Sequence, residues 1–406
     1  MNLLFLSDVS LENPTSGSEQ VLTQEAVGLS RKGLNVFAIT RGKSDYRSIV
    51  IRNVEGVEEA CYYLPVKNIL RILWVLFKKP SEIYCHFIRK RTSFLYICHQ
   101  PFTCMSLIFK RKLCDQPFIY VFHSPSHKEF LLLNENRNSL WKFPLAHFRK
   151  IIEGYCLKKA QKIVVLSEYM KREIIKFHKI GDQRIVVNPG GADLDRFHPV
   201  EERIRVKTEL GYLDGKIHLL TIRNLEPRMG LDNLLKGFSL LKEKNIPVQL
   251  IIGGEGPEKE KLRQIIEKYG LKSDVILTGF IPAEKLPQYY GAADFFVLPT
   301  RSLEGFGLVT AESMACGTPV LGTPVGATKE ILNNFDSQFL FEDSTPESIA
   351  NGIYHAVNVS LKDQEKYSML RTRCREFVAQ HYSWQRHIDT LETIIYELSK
   401  YDKIRN

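Results

Sequence analysis

Short apolar runs alternate with helix-length stretches along the whole chain, and this alternation limits the fold more than any other feature. Residues 3–7 read as a strand, 18–31 as a helix and 35–40 as a second strand. Residues 94–98, 118–122 and 162–166 continue the series. In the second half the strands fall at 217–222, 248–253, 275–278, 295–298 and 319–322. Runs that are apolar at nearly every position suit strands buried on both faces, and a helix between successive strands makes the sheet parallel. The expectation is an α/β chain of two doubly wound units, with binding loops at the carboxyl ends of the strands. Turn formers in Asn188-Pro189-Gly190-Gly191 mark the break, which gives units at 1–188 and 189–383 and a final amphipathic helical run from Trp384.

A length of 406 residues agrees with two domains, and 44% hydrophobic with 25% charged residues is a globular composition. No apolar run reaches the roughly eighteen residues of a membrane span. The apolar start lacks a basic first segment and stops at Asp8, so a first strand is expected rather than a secretion signal. Eight cysteines are scattered singly, without a C-x-x-C pair. A reduced, cytoplasmic protein without disulfides or a zinc site is expected, with the inner face of the membrane as a further option for its location.

The net charge of +10 is uneven. Residues 1–200 hold 30 Lys/Arg and 18 Asp/Glu (+12), and residues 201–406 hold 26 and 28 (−2). Lys78-Lys79, Arg89-Lys90-Arg91 and Lys110-Arg111-Lys112 stand beside apolar and aromatic residues. Two readings stay open: peripheral contact with an anionic membrane, or a solvated surface with a phosphate-seeking site. No nucleic-acid motif accompanies the charge.

The densest chemistry lies in residues 298–320. Glu304 and Glu312 are eight residues apart, the first in a loop and the second within a helix. Between them Gly305, Phe306 and Gly307 bring backbone N–H groups to a helix N-terminus, which favours an anion. A ligand with hydroxyls at both ends and phosphates in the middle suits this arrangement. The segment resembles the E-x7-E signature of retaining glycosyltransferases with the GT-B fold, glycosyltransferase family 4.

That resemblance implies two Rossmann-like domains facing across a cleft, with the last helix (384–406) crossing back onto the first. It also implies a nucleotide diphosphate sugar bound by the second domain. Glu312 would hold the ribose hydroxyls, Glu304 the sugar hydroxyls, and N–H groups of Phe306, Gly307, Leu308 and Val309 the sugar and phosphate. Arg223 matches the arginine of the family's G-R-L-x-x-x-K-G segment. Its lysine position is Met229, and either Arg228 supplies the second charge or that contact is lost. The loop holding Ile281 corresponds to the one that receives the base. Gly17, at the start of the first helix, resembles the family's first glycine loop, which usually has two adjacent glycines where this chain has one.

His123, in Val121-Phe122-His123-Ser124-Pro125, matches the family's active-site histidine. His99 sits in a similar strand-end setting and is its rival. Asp193-Leu194-Asp195 spells D-x-D but resembles an interdomain turn, so neither metal nor other cofactor is expected.

The expected function is retaining transfer of a sugar to a hydroxyl of a glycan or lipid-linked glycan, in polysaccharide or glycolipid synthesis. Alternatives are a non-catalytic sugar-nucleotide or glycan-binding subunit of a synthesis complex, or another GT-B enzyme such as a nucleotide-sugar epimerase.

Overall fold

The computed structural model describes every residue except 43–48, 65–68, 89–93, 111, 114–115, 136–139, 361–362 and 406. The basic cluster Arg89-Lys90-Arg91, together with Arg111 and Cys114, therefore lies outside the described residues. The seven other cysteines are free. The chain divides into two compact units, Met1–Pro189 with Gln385–Asn406, and Gly190–Trp384.

The first unit is built on an eight-stranded sheet. Its strands are β1 Asn2–Leu6, β2 Asn35–Arg41, β3 Val50–Val54, β4 Val57–Tyr62, β5 Leu95–Cys98, β6 Phe118–Phe122, β7 Lys162–Val165 and β8 Ile185–Val187, in the order β3-β4-β2-β1-β5-β6-β7-β8. Every described pairing is parallel except β3 with β4. Leu3, Leu4, Phe5 and Leu6 of β1 are fully buried, as a strand covered on both faces requires.

Three strands are absent from the sequence expectation. β3 and β4 form an antiparallel hairpin whose turn residues Glu55 and Gly56 both have positive φ. β4 reads Val-Glu-Glu-Ala-Cys-Tyr, and its acidic pair hides the apolar signal. Glu59 is nevertheless fully buried, because Ser10 Oγ, Leu11 N, Thr40 Oγ1 and Arg52 Nε all donate to its carboxylate. β8 is only three residues long, too short for a pattern.

The helix Trp384–Arg405 turns Ile388, Leu391, Ile394, Ile395 and Leu398 inward at helical spacing. Ile388 packs over Gly28, where any added Cβ would lie 2.1 Å from its Cδ1. Lys32 Nζ meets Asp389 and Glu392, each at 2.6 Å. Apolar packing and these ion pairs place the helix in the first unit.

The second unit has a five-stranded parallel sheet of β9 Ile217–Ile222, β10 Val248–Gly253, β11 Val275–Gly279, β12 Phe295–Leu298 and β13 Val320–Gly322, in the order β11-β10-β9-β12-β13. The strand order reverses at β9, which lies between β10 and β12. Loops leaving β9 and β12 on either side of such a switch point diverge and leave a crevice at the strands' carboxyl ends. The architecture is the GT-B fold, with its two Rossmann-like sheets.

Candidate active site

In the second unit the switch point is bridged by two side chains. Arg223 follows β9 and Glu304 lies six residues beyond β12; Arg223 Nη2 is 2.6 Å from Glu304 Oε2. Both side chains are buried, and Thr300 Oγ1 donates to the same carboxylate oxygen at 2.9 Å. Met229 Sδ lies 2.9 Å from Arg223 Nη2, so the methionine at the family's lysine position packs against the arginine. Arg228 is held by the same loops, its Nη1 donating to Leu303 O at 3.0 Å and its Nε to Glu226 at 3.1 Å.

The backbone around Arg223 is held by Gly254. With φ of +125°, this glycine lies so close that a Cβ would sit 1.9 Å from Arg223 O.

The eight-residue helix Leu308–Ala315 begins at Gly307, whose φ of +80° makes it a left-handed cap, and no side chain caps this end. Its first N–H groups thus point from the same loop that carries Glu304. Glu312 stands one turn further along, buried, with Tyr290 OH donating to its Oε2 at 2.9 Å. Burial raises the Glu312 carboxyl above its ordinary value, while the Tyr290 hydroxyl and Arg196 partly oppose the rise. Ile281 follows β11 and is buried against Gly253. Arg223, Glu304, the helix N-terminus and Glu312 therefore belong to one assembly at the sheet's carboxyl edge, with Ile281 on the neighbouring loop.

In the first unit His123, just past β6, and His99, just past β5, are in contact: His123 Nε2 is 3.0 Å from His99 Nδ1. The two rivals of the sequence analysis thus form one pair. His99 Nε2 lies 3.1 Å from Glu25 Oε2, and the other Glu25 oxygen lies 2.9 Å from His387 Nε2. Burial would raise the Glu25 carboxyl, but His99 and His387 overcome this and hold it down to about 2. Burial and the adjacent His99 lower His123 to about 3, so its imidazole is neutral at physiological pH.

Gly17 opens the helix Gly17–Arg31. Ahead of it Ser16 and Glu19 form a capping box, and the Glu19 carboxylate accepts from Thr15 N and Ser16 N. Those donors are already engaged by the chain itself. The Asp193 carboxylate accepts from Asp195 N and Arg196 N, as in a self-capped turn.

One group among the described residues, His127, Glu153 and His178, brings potential metal ligands within 4.8 Å of one another. Glu153 already accepts from His178 Nε2 and Ser126 N. His127 is depressed to about 4 by burial, His178, Lys150 and Lys128, a cationic setting that opposes a metal ion.

Thr300, Tyr290, Glu25 and His387 were not legible as site residues. Thr300 and Tyr290 are common residue types on ordinary elements, and Glu25 and His387 are 362 positions apart.

Two family models match the chain: Glycosyltransferase Family 4 over residues 15–196 and Glycosyl transferases group 1 over residues 203–377. An uncharacterized glycosyltransferase of Methanocaldococcus jannaschii is 23% identical over 372 residues, 88% of each chain. A GDP-mannose-dependent alpha-(1-6)-phosphatidylinositol monomannoside mannosyltransferase of Mycolicibacterium smegmatis is 28% identical over 204 residues, 48% of this chain and 52% of that protein. The match thus spans about half the length of that relative. Among solved structures, sucrose-phosphate synthase from Thermosynechococcus elongatus superposes with a TM-score of 0.82 at 20% identity, over 99% of this chain and 100% of the other. Anabaena HepE in complex with UDP-glucose gives 0.73 at 17% identity, over 98% and 100%.

The fold is that of the GT-B sugar-transferring enzymes. The chain belongs to the group 1 glycosyl transferases, glycosyltransferase family 4. It is a glycosyltransferase that takes its sugar from a nucleotide sugar.

Proposed function

We propose that the second unit binds a nucleoside diphosphate hexose across the β9/β12 switch point and that the sugar passes, with retention, to a lipid-linked acceptor. The observation that carries the donor assignment is the Arg223–Glu304 bridge beside the uncapped helix N-terminus. On this reading Arg223 and Arg228 face the diphosphate. Backbone N–H groups of the Gly305–Val309 loop surround phosphate and sugar. Glu304 accepts from sugar hydroxyls, Glu312 accepts from the ribose diol, and Ile281 lies against the base.

These donors meet negative charge where it grows on the leaving diphosphate, without a metal ion. With no second carboxylate assigned as a nucleophile, the leaving phosphate oxygen takes the acceptor's proton on the attacked face. His123 of the first unit is assigned to the active site, as its family motif implies.

The names of the relatives speak of GDP-mannose and UDP-glucose, both nucleoside diphosphate hexoses. The test is calorimetric titration with UDP-, GDP- and ADP-sugars without metal. Binding of one series supports the donor site, and binding that persists in Glu312→Ala counts against it.

A lipid-linked acceptor is favoured by the helix Lys142–Lys159. Trp141, Leu145, Phe148, Ile151 and Tyr155 recur at helical spacing on its outward side and are all exposed, Trp141 by 80%. Ala146, Ile152, Cys156 and Leu157 face inward, so the helix is apolar on two sides. Lys142, Lys150, Lys158 and Lys159 accompany the outward stripe. Apolar side chains entering the headgroup layer, flanked by lysines that attract anionic lipid, suit a membrane surface. No helix among the described residues is long and apolar enough to cross a membrane.

Binding to vesicles containing phosphatidylglycerol, absent with phosphatidylcholine alone and lost in a Trp141→Ala/Phe148→Ala variant, is the expected result. Full activity on a water-soluble acceptor, with no vesicle binding, would overturn the lipid assignment.

A further inference from the structure

Five buried or half-buried groups of the first unit form a continuous line: Pro189 O, His387, Glu25, His99 and His123 in sequence, with the carbonyl at one end. His387 Nδ1 lies 2.8 Å from Pro189 O, and its Nε2 lies 2.9 Å from Glu25 Oε1. Glu25 Oε2 lies 3.1 Å from His99 Nε2, and His99 Nδ1 lies 3.0 Å from His123 Nε2. The Glu25, His99 and His387 side chains are fully screened from solvent.

Donor and acceptor roles follow from what each partner can do. A carbonyl only accepts, so His387 Nδ1 carries a hydrogen. An ionised carboxylate only accepts, so His387 Nε2 carries a hydrogen as well. His99 Nε2, 3.1 Å from the other carboxylate oxygen though not aligned as a hydrogen bond, turns its hydrogen toward that charge because a lone pair there would be repelled. His387 therefore donates from both nitrogens and is an imidazolium, which balances the buried Glu25 charge. With one cation already supplied, His99 is neutral, and its Nδ1 offers a lone pair. His123 Nε2 must then donate to it, which leaves the lone pair of His123 on Nδ1.

We propose that Glu25, His99 and His387 are positioning residues that lock His123 in its Nε2–H tautomer, so that it presents an accepting Nδ1 to the substrate. The step from tautomer to catalysis rests on the proposed active-site role of His123. An accepting nitrogen there takes a hydrogen bond from a hydroxyl of sugar or acceptor, whereas the opposite tautomer would offer a donor at the same place. The relay is anchored where the chain leaves and re-enters this unit. Pro189 is the last residue before the departure, and His387 is two residues after the return at Gln385. Asn188 Nδ2 fixes the same turn by donating to His387 O at 3.0 Å.

The test is long-range proton–nitrogen correlation NMR of the full chain labelled with nitrogen-15 in histidine, the His123 signals being assigned by their loss in His123→Gln. The wild type is expected to show His123 protonated at Nε2 alone and His387 protonated at both nitrogens at neutral pH. Glu25→Gln should return His387 to a neutral ring and let His123 populate both tautomers. In kinetics, Glu25→Gln and His99→Gln should lower kcat roughly 10- to 100-fold with the donor KM little changed.

His123 protonated at Nδ1 in the wild type would overturn the proposal, and that measurement needs no variant to fold. An unchanged His123 tautomer in a folded Glu25→Gln variant would overturn it equally. If the tautomer is as stated but His123→Gln retains full turnover, the relay stands and the catalytic role of His123 falls.

Discussion

Arg223 and Glu304, which the family pattern assigns to diphosphate and to sugar, are paired with each other at 2.6 Å in the protein. They approach from the two strands that flank the switch point, so each neutralises the other. Two buried charges at this distance are costly to separate, because the remaining one is left without a partner or water.

Removing one partner should therefore cost more than removing both. Arg223→Met is expected to lower stability by roughly 3–5 kcal/mol, whereas adding Glu304→Gln to it should restore much of the loss. Urea unfolding of the four proteins of this cycle reads the coupling. Simple additivity would mean that the pair carries no interaction energy.

Glu312 trades stability against binding. Its carboxyl is raised by burial, so folding favours the protonated form more than the unfolded state does. The stability it contributes is complete below the unfolded value of 4.5 and is lost as pH rises through the higher folded value. Glu312→Gln should thus be more stable than the wild type at neutral pH without ligand, while binding donor more weakly. Thermal unfolding with and without donor distinguishes the two effects.

Donor binding should be coupled to the same proton. Ribose hydroxyls that donate to the carboxylate favour its ionised form and lower its pKa toward the ordinary value. Binding is then expected to release protons and to tighten as pH rises above 4.5. Calorimetry in two buffers of different ionisation enthalpy measures the release, and an identical heat in both would contradict it.

The three assigned side chains should separate kinetically. Glu304→Ala and His123→Ala are expected to reduce kcat by about 100-fold or more, and Glu312→Ala chiefly to raise the donor KM. Near-normal kinetics in all three would mean that the site lies elsewhere.

Gly326 sets the path of the Glu304 loop. It has φ of +60°, and a Cβ there would lie 2.0 Å from Glu304 O, which also accepts from Ala327 N at 3.0 Å. Gly326→Ala should cost about 2 kcal/mol or more and displace Glu304, with donor affinity falling alongside stability. A crystal structure of the variant with an unmoved Glu304 would sink this account.

The sequence was most informative where one strand pattern decides the outcome. β6, β9, β10 and β12 fall on the expected residues because they are apolar at most positions, with only His218, Thr221 and Gln249 interrupting, and buried parallel strands need that. β4 was hidden because Glu59 is buried by four specific donors rather than by apolarity. In the site, Glu304, Glu312 and Arg223 were legible from local spacing, since each sits in a short motif beside a strand.

The pairing of Arg223 with Glu304 was not legible, because it depends on which strands become neighbours across the switch point. The relay was still less so. His387 reaches Glu25 only because Ile388, Leu391 and Ile395 dock the last helix on the first unit. Spacing within a sequence carries no trace of such a meeting.

The central claim, that the β9/β12 switch point holds a nucleoside diphosphate sugar, is tested most directly by calorimetric titration without metal. The wild type, Glu312→Ala and Arg223→Met would each be titrated with UDP-, GDP- and ADP-sugars. The account predicts that one nucleotide series binds the wild type with micromolar affinity, releases protons as it does so, and binds both variants far more weakly. Equal binding to all three proteins, or binding of no series to the wild type, would contradict it.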